Sequence, residues 1–323
     1  MELGGGSTAE RVLEASPAAQ MLVVSANLQA GPARPPSPQQ IRRFARRLRL
    51  LLPFAPDALL LQEVTDESAA VTAEMLSGQM PFSFSVERSP GSLTGTVAPQ
   101  SEPGPEQPNH AEEEVIANTA VVVNADTMRV RDPGGVISTH YDILDAQPGI
   151  PWRAKVHSYL VAAKRGRRAK VALASIHFVG NWRLRPRSIG FCYKNQWARE
   201  VTDFLHERYP SAEFLHVVGG DFNNRRCVET AETGDCEVWP FWESLVDRAG
   251  LKDSIFEIHG SSDDDLGRQG GKSKRIDYIF TNADVIDASH DVDYDAAPGK
   301  PGFYSDHALL WALLDLRRKR APS

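Results

Sequence analysis

Short apolar runs alternate along the chain with longer stretches in which apolar residues recur every three or four positions. Continuous apolar runs bounded by polar or turn-forming residues predict strands covered on both faces. Such runs lie at 21–26, 58–61, 119–123, 156–163, 171–176, 215–218, 276–280 and 309–316. The helical period predicts helices over 38–52, 68–78, 189–209 and 241–249. In the first of these Ile41, Phe44, Ala45 and Leu48, with Leu51 or Leu52, share one face. Arg42, Arg43, Arg46, Arg47 and Arg49 cover the rest, as a solvated helix face would. The basic stretch Lys164 to Lys170 reads as a hairpin tip, and 260–274 as a polar, glycine-rich loop.

Strands and helices are interspersed throughout, and no linker divides two cores. The reading is one α/β domain over 20–318, a flexible lead over 1–19, and a tail over 319–323. Residues 88–114 carry five prolines and the run Glu112-Glu113-Glu114, predicting a long loop.

Composition narrows the class. The chain has 323 residues, 41% hydrophobic, and a net charge of −6, so no global basic field draws in nucleic acid. Local patches at 42–49, 164–170 and 183–187 run against that balance. Cys192, Cys227 and Cys236 are too few and odd in number for a disulfide framework, though Cys227 and Cys236 could bridge a loop. No apolar run approaches the ~18 residues of a membrane span. Residues 1–19 lack the apolar core of a signal peptide, so a cytoplasmic monomer without membrane insertion is expected. A mature secreted chain would look the same.

The candidate chemistry sits at the ends of the predicted strands, where rigid backbone meets solvent. Asn27 follows LVVSA, Glu63 follows ALLLQ, and His177 follows VALASI. Asp277 lies inside RIDYIF, and Asp306-His307 precede ALLWALL. The segment VVGGDFNN delivers Asp221 and Asn223, its glycines expected to turn the backbone and admit a ligand. Asp221 can bind a metal or accept a proton, and Asn223 can donate to an oxyanion. Carboxylates and amides with two histidines and no cysteine suit a hard cation, Mg²⁺ or Mn²⁺, with Ca²⁺ also possible. No zinc motif, phosphate-binding GxxxxGK[ST] loop or GxSxG elbow occurs. What remains is metal-assisted attack of water on phosphorus.

The segments SANLQ, LLLQEV, SIHFVGN, VVGGDFNN, KRIDYIF and YSDHALL span residues 21 to 316 in one order. In these the chain resembles the endonuclease–exonuclease–phosphatase superfamily of deoxyribonuclease I-like proteins. The resemblance implies a four-layer α/β sandwich, two packed mixed sheets flanked by helices. It implies Asn27, Glu63 and Asp306 at a metal. It further implies His177, Asp221, Asn223, Asp277 and His307 as catalytic residues, with Asp277 accepting a hydrogen bond from His307. His177 resembles the second histidine of the deoxyribonuclease-like and sphingomyelinase-like branches. In the former an acid supports that histidine, whereas here ANTAVVV offers Asn118, which can orient an imidazole without raising its basicity. Arg153 could grip a phosphate, and Asn181 with Trp182 could line the substrate groove.

The leading functional expectation is a divalent-metal-dependent phosphodiesterase acting on DNA or RNA. The alternative is a phosphatase or sphingomyelinase-like hydrolase of a small-molecule or lipid headgroup, since one core serves both. A non-catalytic binding module would show eroded site positions, and none is eroded.

Overall fold

A computed structural model gives the architecture. It describes residues 13–28, 36–64, 66–79, 84–86, 119–139, 155–178, 187–223, 242–260, 275–291, 304–305 and 307–317. One sheet contains β1 (Gln20–Asn27), β2 (Ala58–Gln62), β3 (Phe84–Val86), β4 (Thr119–Asn124), β11 (Asp284–His290) and β12 (Leu310–Asp315). The other contains β5 (Met128–Thr139), β6 (Lys155–Lys164), β7 (Lys170–His177), β8 (Phe214–Asp221), β9 (Lys252–Asp253) and β10 (Asp277–Thr281). Their orders are β11-β12-β1-β2-β4-β3 and β5-β6-β7-β8-β10-β9. The helices are α1 (Pro38–Leu51), α2 (Asp66–Gln79), α3 (Arg187–Arg208) and α4 (Ser254–His259), with a π-helical turn at Glu243–Arg248. None among the described residues is long and apolar enough to cross a membrane.

The apolar runs are explained by burial on both faces. In β1, Leu22, Val24 and Ala26 pack toward Phe44, Ala45 and Leu48 of α1. The alternate residues Met21 and Val23 face the other sheet, meeting a core with Leu160, Leu173 and Val217. In β7 the same period sends Ala172, Ala174 and Ile176 toward Trp197, Val201 and Leu205 of α3, and Val171 and Leu173 inward. Helices, two mixed sheets and a helix make four layers, as the resemblance implies.

Local signals hold the elements in place. Ser37 Oγ accepts from Gln40 N at 3.2 Å while Gln40 Oε1 accepts from Ser37 N at 2.9 Å, a capping box with Pro38 at the first turn of α1. The arginine face of α1 is not uniformly solvated: Arg47 forms a two-pronged ion pair with the buried Asp291 just after β11. At the edge where β2 begins, Lys164 Nζ lies 2.7 Å from Asp57 Oδ1, and Asp57 Oδ2 accepts from Leu22 N at 2.9 Å. That buried pair ties the two sheets together.

Several elements leave no clear signal in the sequence. The strand β5 contains Asp132-Pro133-Gly134-Gly135, which reads as a break; it survives as an edge strand with two register shifts and Gly134 at φ 76°. The polar β11 is likewise an edge strand with a bulge. The short β3 and β9 and the one-and-a-half turns of α4 were also unforeseen. The helix expected over 241–249 is π-helical where described. The end of the expected flexible lead is anchored, with Leu13 buried and Ala55 N donating to Glu14 O at 2.8 Å. The expected 88–114 loop lies outside the described residues, as do Cys227 and Cys236.

Candidate active site

Strand polarity gathers the site. Parallel β1 and β2 end at one edge of their sheet, as parallel β7 and β8 do in theirs. Strand β10 runs antiparallel to β8 with Asp277 opposite Asp221, and β12 runs antiparallel to β1. The C-terminal ends of four strands and the N-terminal approaches of two others therefore meet at one rim. That rim holds Asn27, Glu63, His177, Asp221, Asn223, Asp277 and His307.

One oxygen is the hub. Asp221 Oδ2 lies 3.2 Å from Asn27 Nδ2 and 3.1 Å from Asn223 Nδ2. It also lies 3.7 Å from His177 Nε2 and 3.8 Å from His307 Nε2. Asn27 Nδ2 reaches Glu63 Oε1 as well, at 3.1 Å, and His177 Nε2 is 3.9 Å from that same oxygen. His307 Nδ1 lies 2.9 Å from Asp277 Oδ2, and its backbone N–H donates to Ser305 Oγ at 3.1 Å. Asn223 Nδ2 additionally donates to Phe178 O at 2.8 Å.

The backbone is strained where the chemistry is. Glu63 and Asn223 have φ of 56° and 48°, the left-handed region that side chains other than glycine seldom occupy. The Asn223 turn is closed by its own N–H donating to Asp221 Oδ1 at 2.7 Å. The two preceding glycines do something other than the expected turning and ligand admission. Both lie inside β8, with Gly219 opposite Ser175 and Ile279, and Gly220 opposite Ile176 and Tyr278. A Cβ on Gly220 would stand 1.9 Å from Ile176 O, so the glycine serves close strand approach. The turn itself belongs to Asp221 and Asn223.

Electrostatically the rim is acid-rich and dry. Asp221, Asp277, His177 and His307 are all buried, while the Glu63 side chain keeps 23% of its exposure. Burial pushes the Asp221 carboxyl up from 3.8 to about 7; His307 and the Asn223 N–H oppose the rise, and the Asp277 and Glu63 charges add to it. A buried carboxyl so placed can hold a proton at neutral pH or give it up to a cation. Asn27, Glu63 and Asp221 present oxygen donors in the set a hard divalent cation prefers, so the residues fit Mg²⁺ chemistry. Asp221, Asp277 and His307 also bring one ligand atom each within 4.8 Å of one another. In that group Asp277 Oδ2 is already bonded to His307 Nδ1, as Glu63 Oε1 is to Asn27 Nδ2.

The family model described as Endonuclease/Exonuclease/phosphatase family matches residues 24–307. The chain belongs to this family. It is therefore a divalent-metal-dependent phosphoester hydrolase. Solved structures agree on the fold. An endonuclease/exonuclease/phosphatase from Bacteroides vulgatus is 13% identical with TM-score 0.57, over 92% of this chain and 99% of that one. A mannosyl-6-phosphatase from Bacteroides thetaiotaomicron is 13% identical with TM-score 0.56, over 91% and 99%. Truncated TDP2 from Caenorhabditis elegans is 16% identical with TM-score 0.55, over 92% and 97%. No curated protein sequence matches the chain.

Of the residues the sequence singled out, Asn27, Glu63, His177, Asp221, Asn223, Asp277 and His307 come together. Asp306, Asn118, Arg153 and Asn181 lie outside the described residues. Sequence reasoning overlooked His157 and the Phe178 carbonyl; a histidine in the run VHSYL and a main-chain oxygen leave no motif.

Proposed function

We propose that the protein is a Mg²⁺-dependent phosphodiesterase that cleaves nucleic acid by in-line attack of water. The observation that carries this reading is the pair of imidazole Nε2 atoms at 3.7 and 3.8 Å from the same Asp221 oxygen. Asn27, Glu63 and, by resemblance, Asp306 would hold the cation, which when bound supplies charge neutralisation at the phosphate. Asp221 takes the proton of the attacking water. His307, with Asp277 fixing its tautomer, meets the phosphoryl oxygens with Nε2. Asn223 donates to the same charge. His177 protonates the leaving oxygen. A diester carries one negative charge and a monoester up to two, so an acid-rich rim repels the diester less. By the resemblance, Asn118 stands at the position that supports His177 and orients it; by their own chemistry and position, Arg153 grips a phosphate and Asn181 lines the substrate groove.

One observation favours keeping the smaller substrate in view. The basic hairpin after β6 sits at the start of β7, and His177 at its end, roughly 25 Å away at ~3.3 Å per residue. That basic patch therefore lies too far away to grip a strand seated at the rim. The other two basic patches, 42–49 on α1 and 183–187, remain in support of nucleic acid.

The test is a substrate panel with Mg²⁺, Mn²⁺ and EDTA: supercoiled plasmid, single-stranded oligonucleotides, RNA, sphingomyelin and sugar or nucleotide monophosphates. Nucleic-acid cleavage lost in EDTA and in Asp221→Ala supports the proposal. Turnover of monophosphates alone would overturn the diesterase reading.

A further inference from the structure

Between the buried face of β6 and the rim stands a histidine that the proposed chemistry does not use. His157 is fully buried, with relative exposure of 0%. The β6–β7 ladder runs from Ala163–Lys170 to Ser158–Ser175 and stops there. Backbone N–H groups alternate in direction along a strand. Phe178 N points to β8, donating to Asp221 O at 2.8 Å, so His177 N points to β6. The ladder has ended, and a side chain takes the place of the carbonyl: His177 N donates to His157 Nδ1 at 3.3 Å.

The opposite ring nitrogen is held as well. His157 Nε2 lies 3.1 Å from Oγ1 of the fully buried Thr139, the last residue of β5. An Nδ1 that accepts from an amide places the ring proton on Nε2, where it is donated to Thr139. The ring also meets Phe178 edge-on, with centroids 5.5 Å apart at 73°. The Phe178 carbonyl is the acceptor for Asn223 Nδ2. One side chain thus fixes the main chain of His177 and Phe178 just beyond the last ladder pair. The His177 ring that this main chain carries reaches Asp221 Oδ2 and Glu63 Oε1.

We infer that His157 is a positioning residue for His177, setting the imidazole's distance to the leaving oxygen. The inference rests on the proposed role of His177 as the group that protonates that oxygen. A ring that merely filled the core would affect all substrates alike. A positioning ring affects most those whose leaving group needs a proton, because displacement by about 1 Å can cost about 100-fold.

The experiment compares wild type with His157→Phe, which keeps volume and loses both nitrogens, and His157→Asn, whose Oδ1 can replace Nδ1. Each is assayed on a dinucleotide, with a poor alkoxide leaving group, and on bis(4-nitrophenyl) phosphate, with a good one. Expected is a kcat loss of about 10- to 100-fold for His157→Phe on the dinucleotide at unchanged KM. The nitrophenyl ester should lose under about threefold, and His157→Asn should recover most of the loss. Thr139→Val, a milder change, should show the same leaving-group pattern at smaller size, and it reads the inference even where His157→Phe does not fold. Equal losses on both substrates, or none while His177→Ala is impaired, overturn the positioning role. Full activity of His177→Ala would instead overturn the role assigned to His177 itself.

Discussion

Asp277 Oδ2 lies 2.9 Å from Nδ1 of His307, which leaves the other ring nitrogen facing Asp221. The two residues are 30 positions apart in the chain and arrive from different sheets. A carboxylate behind an imidazole selects the Nδ1–H tautomer and favours the charged ring.

Asp277→Asn keeps the shape but can present an N–H to Nδ1, favouring the wrong tautomer. We expect kcat to fall by about 100-fold with thermal stability little changed, measured by steady-state kinetics beside a melting curve. A loss of less than about threefold would show that His307 does not depend on this partner.

The pH dependence of the metal-free protein follows from Asp221. Its folded carboxyl titrates near 7, above the ordinary 3.8. Between those values the folded state holds a proton that the unfolded state has lost. Stability therefore declines as pH rises across this window, at up to about 1.4 kcal/mol per pH unit for one proton. The difference in unfolding free energy between wild type and Asp221→Asn in EDTA should fall from pH 4 to 7 and then level off. A cation held by Glu63 beside Asp221 disfavours that proton, so Mg²⁺ affinity should rise with pH up to about 7, as titration calorimetry in buffers of different ionisation heat would show.

His290 has the opposite sign. Burial, then the Arg275 and His259 charges, holds its imidazole down to about 4. The unfolded ring binds a proton below its ordinary 6.5 while the folded ring stays neutral, so stability is lost as pH falls from 6.5 toward 4. Replacing it in His290→Gln should flatten that acid limb in a denaturant series. An unchanged acid limb would rule the residue out.

The adjacent glycines should differ on substitution. A Cβ at Gly220 meets the Ile176 main chain at 1.9 Å, whereas at Gly219 the nearest atom is Leu60 Cδ1 at 2.7 Å. Main chain cannot yield and a leucine methyl can rotate. Gly220→Ala should therefore cost at least about 2 kcal/mol and Gly219→Ala less, by chemical denaturation. The reverse order would contradict the strand-contact role.

Removing one member of the Lys164–Asp57 pair leaves a buried charge. Lys164→Met should destabilise by about 3–5 kcal/mol. The pair sits at the edge opposite the rim, so kcat of the folded fraction should stay within about twofold, a small effect compared with any change at the rim. A large kcat loss would mean that strain passes along the sheets.

How much of this could be read beforehand depended on where the information lies. Apolar runs such as 21–26 and 215–218 predict strands because covering both faces demands uninterrupted side chains, and β1 and β8 follow. Edge strands such as β5 and β11 answer to one face only, and tolerate Pro133 in the first and Asp284 and Asp287 in the second.

The double-covered strands, the oxygen-rich character of their ends and the family are all legible in the order of residues alone. Tertiary structure alone decided which atoms meet. Asn27 and Asp221 are 194 positions apart and share a hydrogen bond because β1 and β8 end at the same rim of facing sheets. The left-handed turns at Glu63 and Asn223, the close strand contact at Gly220 and the anchoring of His177 by His157 came the same way. Local propensity fixes the period of a segment. Distances of a few ångströms between distant residues are fixed by strand pairing and sheet packing, which no single segment contains.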